Sequence, residues 1–92
     1  MIEMRRLADA WKQENMFVSS LSQKIMHPAY QKLIGFGEKA LPFIVGELRN
    51  SGGYWFWALS SISREDPVPE EVRGNFPAMK QAWLDWAAER GL

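Results

Sequence analysis

Apolar residues in the first segment recur with the spacing of one helical face. Met4, Leu7, Ala8 and Trp11 line up over Ile2 to Glu14, while Arg5, Arg6, Asp9, Lys12 and Gln13 fall elsewhere. The pattern stops near Asn15. Ser20-Leu21-Ser22-Gln23 then has the form of a capping box, with the Ser20 hydroxyl taking an orphan amide and Gln23 reaching back. It opens a short helix carrying Leu21 and Ile25 that ends before His27-Pro28. Pro28 suits the first turn of a third helix, where its missing donor costs nothing. Ala29, Tyr30, Leu33 and Ile34 follow, and Gly35-Phe36-Gly37 stops it.

The next helix is expected over Glu38 to Asn50, with Leu41, Ile44, Val45 and Leu48 on one stripe and Phe43 beside it. Pro42 should bend or tighten its first turn. Gly46 lies inside it, at a propensity cost of about 1 kcal/mol, and suggests the close approach of a neighbouring helix or ring. Ser51-Gly52-Gly53 forces a reversal. From Tyr54 to Arg64, Trp55, Ala58, Leu59 and Ile62 form a clean face bordered by Phe56, and Trp57 points away from it with Ser60 and Ser61. Glu65 to Asn75 loses periodicity around Pro67 and Pro69, with one helical turn expected at Glu70 to Arg73. A last helix runs from Phe76-Pro77 to about Arg90, with Met79, Ala82, Trp83, Trp86 and Ala87 on its stripe. No segment alternates with period two long enough to make a strand. The expectation is an all-α, single helical domain over residues 1–92, built of about five short helices.

Composition narrows the function classes. Hydrophobic residues make up 47% of the 92 and charged residues 24%, the balance of a globular chain rather than a disordered one. The absence of cysteine removes disulfides, thiolate chemistry and cysteine-ligated zinc. A single histidine, His27, leaves structural zinc short of ligands and offers one part of a hydrolytic triad. Next to Pro28 it more simply caps or ends a helix. Glu65, Asp66, Glu70 and Glu71 lack the spacing of a calcium loop and are expected to solvate their own loop. Gly35-Phe36-Gly37 has neither the strand of a dinucleotide loop nor the ending of a Walker loop. No catalytic residue, metal ligand or cofactor site is therefore assigned, and the chain is not expected to be an enzyme. A small enzyme with a site completed by oligomerisation is the most distant reading.

Formal charge is zero, which argues against binding nucleic acid through general phosphate attraction. The first fifty residues are more basic, seven bases against five acids. Arg5, Lys12 and Gln13 partly resemble a recognition face, with Asp9 close by, so a nucleic-acid-associated regulator is the alternative reading. No apolar run reaches a membrane-spanning length, and the amino terminus has no signal-peptide core. A cytoplasmic location with no membrane partner is expected.

The unusual feature is the aromatic content, 13% with five Trp. Most of these rings must form the core. Those without a place on a helical stripe are Trp57, Tyr54, Phe17 and Phe76, and such rings are enriched at interface hot spots. With the charged loop that follows, the candidate protein interface is Tyr54, Trp57, Arg64, Asp66, Arg73 and Phe76. Arg73 is expected to pair with Glu70 or Asp66 or to recognise a ligand. The expected partner is another protein or a second copy of the chain.

Leu33 to Leu48 followed by Trp57-Ala58-Leu59-Ser60-Ser61-Ile62 resembles a HEAT-type repeat: a glycine turn, a first helix with an early proline, then a second helix around an Ala-Leu-x-x-Ile core. Only one unit is present, and Tyr54-Trp55-Phe56-Trp57 stands where repeats carry smaller residues. From Ser19 onward the chain also resembles a group of small uncharacterised bacterial proteins. The residues that carry this are His27-Pro28-Ala29-Tyr30-Gln31-Lys32, Gly35-x-Gly37, Trp55-Phe56-Trp57-Ala58-Leu59, Asp66-Pro67-Val68-Pro69 and Arg73-Gly74-Asn75. The first resemblance implies a binding scaffold, such as an adaptor, a small subunit or a neutraliser of another protein. The second implies a bacterial or mobile-element setting and transfers no activity.

Overall fold

Six α-helices and two short 3₁₀ turns, with no strand, account for the regular structure in a computed structural model that describes residues 2–15 and 20–92. The helices are α1 (Ile2–Glu14), α2 (Leu21–Met26), α3 (Pro28–Gly35), α4 (Leu41–Asn50), α5 (Phe56–Ser63) and α6 (Phe76–Glu89). The 3₁₀ turns lie at Gly37–Ala40 and Glu70–Val72. Helix α1 packs on α3, α3 on α5, and α6 closes over α4 and α5. The Cα radius of gyration is 12.5 Å, the compactness expected of a folded chain this long.

Helix boundaries follow local chemistry. The Ser20 hydroxyl accepts the Gln23 amide N–H at 3.4 Å and opens α2, but the return bond from the Gln23 side chain is not made among the described residues. The His27 Nδ1 accepts the Ala29 amide at 3.0 Å and caps α3, with Pro28 in its first turn. Because Nδ1 accepts, the neutral ring carries its proton on Nε2, which donates to Glu14 Oε1 at 2.9 Å. The helix expected from Glu38 starts later. Pro42 has no N–H to give the Glu38 carbonyl, and Leu41 bonds it instead in a tighter turn before α4 begins. Trp55 stands just outside α5 as its N-terminal flanking residue, and Arg64 ends that helix in the left-handed region at φ 61°, a place glycine usually takes.

The expectation at Gly46 fails. A Cβ built there would meet nothing within 4 Å, so no ring or helix crowds it. The tight approach is at Gly53 (φ +98°), where a Cβ would come within 3.3 Å of the Trp55 Nε1. That indole N–H donates to the Gly52 carbonyl at 3.1 Å, so the ring itself braces the reversal between α4 and α5.

Two aromatic clusters frame the core. Trp11, Tyr30 and Trp55 meet at centroid distances of 4.5 to 5.5 Å, joining α1, α3 and the start of α5. On α6, Trp83 and Trp86 sit edge to face at 5.1 Å. Between them, Ile44, Leu48, Ala58 and Leu59 are fully buried. The expected stripes are the buried ones for the most part, with Leu7, Ile62, Met79 and Ala82 packed at the margin. Val68, taken from the sequence as loop, is buried and plugs the core between its two prolines.

Candidate protein-binding cleft

Burial of the α5 stripe against α3 and α4 turns the other side of that helix outward. Trp57 is 49% exposed although Trp55 and Phe56 just before it and Ala58 just after it are buried. It stands at the edge of a cleft of about 170 Å³ that runs between α5, the loop after it and α6. Tyr54, Phe56 and Trp57 line one side, with Asp66, Val68 and Arg73 from the loop and Met79 and Trp83 from α6 opposite. Two larger hollows flank α1, one beside Leu7 and Phe36 and one beside Ile2 and Phe43, and both are more open.

The loop is held by short-range pairing. Arg73 donates to Asp66 Oδ2 at 2.6 Å, and Asp66 Oδ1 accepts the Val68 amide at 3.1 Å. The Arg73 guanidinium, helped by the Val68 N–H, holds the Asp66 carboxyl below the usual range against the smaller opposing effect of burial. Asp66 in turn raises Arg73. Glu65 does not simply solvate the loop: it accepts from the Trp86 indole and from Arg90, which also lies over the Trp86 ring at 4.5 Å. The loop is thereby tied to both ends of α6, since the Asn75 side chain accepts the Ala78 amide at its start.

Of the six residues singled out from the sequence, the fold brings Tyr54, Trp57, Asp66 and Arg73 to this one cleft. Phe76 adjoins it, its ring 5.1 Å from that of Phe56 and 39% exposed. Arg64 is exposed but does not line the cleft. Phe17 lies outside the described residues. Sequence reading missed Trp83 and Met79, which it placed on a core stripe, and Val68, whose position between prolines was the available signal.

A second feature bears on function by what it occupies. Glu47 is a buried carboxylate on α4, 4% exposed, bonded by Arg5 at 2.7 Å and Lys12 at 2.6 Å from α1. Burial alone would raise its carboxyl; the hydrogen bonds from Arg5 and Lys12 outweigh that and hold it below the ordinary range. Two of the cations that suggested a nucleic-acid face are therefore engaged in fastening α1 to α4, and Arg5 also covers the Phe43 ring at 5.0 Å. Among the described residues no group of three or more His, Asp or Glu is placed to hold a metal. Among the described residues no helix is long and apolar enough to cross a membrane.

Comparison with protein-family models, with curated proteins and with solved structures gave no match to this chain.

Proposed function

We propose that the chain is a non-catalytic protein–protein interaction module that uses the cleft beside Trp57, with Tyr54, Phe76, Asp66 and Arg73 around it. The observation that carries this reading is the half-exposed Trp57 indole at the mouth of a cleft with an ordered ion pair on its rim. Trp, Tyr and Arg are the side chains that dominate interface hot spots, because each places a large rigid surface and a directed donor in one place. The partner is another protein or a second copy of the chain, in a cytoplasmic bacterial setting. We read α4 and α5 as a HEAT-like pair, since α4 begins with the early proline and packs against an α5 built on Ala58, Leu59 and Ile62. The engagement of Arg5 and Lys12 by Glu47 weighs against the nucleic-acid alternative.

Trp57→Ala tests the reading. Circular dichroism should show the helical content retained, while light scattering and pull-down with tagged protein should show reduced self-association or partner capture. A folded variant with every association unchanged rules out this cleft as the interface.

A further inference from the structure

The loop after α5 presents its residues alternately to two sides. Asp66 and Val68 line the Trp57 cleft, whereas Pro67 and Pro69 border a separate open groove of about 290 Å³ against α6. Ala82 and Trp86 complete its apolar surface, and Asp85 and Glu89 bring two carboxylates to it. Hydrogen-bonding capacity in this groove runs one way. The two prolines carry no N–H. The Trp86 indole, the one side-chain donor of the lining, already donates to Glu65. Asp85 accepts from Gln81 through Oδ1 alone, at 2.8 Å, and among the described residues the Glu89 side chain has no hydrogen-bonded or ionic partner. No base lines the groove; Arg90, next in sequence, is held by Glu65 over the Trp86 ring.

The placement of these two acids works against the helix that carries them. Asp85 and Glu89 are four residues apart, the spacing at which like charges repel on a helix. Glu89 is also the last residue of α6, where the macrodipole is negative, and the last turn carries no base. A cation supplied from outside relieves both. The rest of the groove limits what that cation is. The described residues place no third ligand for a metal ion beside the pair, and the prolines, Ala82 and Trp86 suit an apolar stem behind the charge. A guanidinium fits better than an ammonium, because its planar fork can donate to two carboxylates one helical turn apart. Free arginine would bring its own carboxylate to a groove with no base to receive it. We infer that the groove docks an arginine side chain of a partner protein. This surface is separate from the Trp57 cleft, and the inference does not depend on that reading.

The test titrates the intact ¹⁵N-labelled chain with an N-acetylated, C-amidated peptide that holds one arginine among alanines. The backbone amides from Asp85 to Glu89 should move. Citrulline in place of arginine keeps the shape and removes the charge, and should bind at least about tenfold more weakly. Lysine should fall between the two. Asp85→Asn and Glu89→Gln should each weaken the arginine peptide several-fold, and Glu89→Gln should leave the thermal midpoint unchanged or higher. Trp57→Ala should bind the peptide as the natural chain does. Absence of shifts from Asp85 to Glu89 overturns the inference, as does equal binding of the citrulline peptide. A lower thermal midpoint in Glu89→Gln also overturns it, because Glu89 would then have a partner within the chain. Lysine binding as tightly as arginine overturns the choice of a guanidinium, and free arginine binding as tightly as the peptide overturns the protein partner. Loss of binding in Trp57→Ala would move the arginine to the other cleft and remove this groove.

Discussion

The Tyr30 hydroxyl accepts the Ala58 amide N–H at 3.0 Å, in a place where both residues are fully buried. The same hydroxyl donates to the Tyr54 carbonyl at 3.0 Å. One phenol on α3 thus satisfies two backbone groups at the start of α5, where Trp55 and Phe56 offer no capping side chain. Tyr30→Phe should cost about 1–3 kcal/mol, since it strands a buried donor while changing almost no volume. Urea denaturation of the two proteins measures it.

That phenol also carries a signature at high pH. Burial raises the Tyr30 hydroxyl above its ordinary value, with the bond from Ala58 opposing in part. The unfolded chain releases this proton near pH 10 and the folded chain holds it, so the associated stability is intact below about pH 10 and is lost as pH rises through the folded value. Thermal melting between pH 8 and pH 11 should show a steeper decline for the natural chain than for Tyr30→Phe.

Glu47 works in the opposite direction. Its folded carboxyl lies below the ordinary value, so the stability from the α1–α4 clasp is present above about pH 4.3 and is lost as pH falls through the folded value. Glu47→Gln should cost about 1–3 kcal/mol at pH 7, less than a fully sealed pair because Arg5 and Lys12 reach solvent. The gap in stability between the variant and the natural chain should narrow as pH falls below the ordinary carboxylate range, which denaturant titration at neutral and at acidic pH checks.

Leu59 and Ile44 are both fully buried at the α4–α5 contact. Replacing either with Ala should cost about 2–5 kcal/mol, enough to unfold a domain of ordinary stability. A cost below about 0.5 kcal/mol at both positions, by urea denaturation, would mean that these helices pack through other faces.

Asn75 should matter less, and locally. Its side chain satisfies the Ala78 amide at the start of α6, so Asn75→Ala should cost about 1 kcal/mol. Hydrogen exchange should accelerate first in the opening turn of α6.

By itself the sequence determined the helices and most of their inward faces. Spacing at 3.6 residues, a serine, a histidine and prolines at first turns, and glycines at ends are local signals, and they act within a few residues of one another. Trp55, Leu59, Ile44 and Trp83 could be placed inside for that reason. The exposure of Trp57 was not legible, because one helix face says nothing about whether a second neighbour covers the other side; the way α6 closes over α4 and α5 decided it. Nor was the grouping of Tyr54, Trp57, Asp66 and Arg73 with Trp83, which depends on how the loop after α5 folds against α6. Nothing in the local pattern around Glu47 marks it as a buried acid. Only the docking of α1 buries it, because its ion-pair partners Arg5 and Lys12 lie 42 and 35 residues away in the chain. Pairing over such separations depends on packing, and no local pattern in the sequence encodes it.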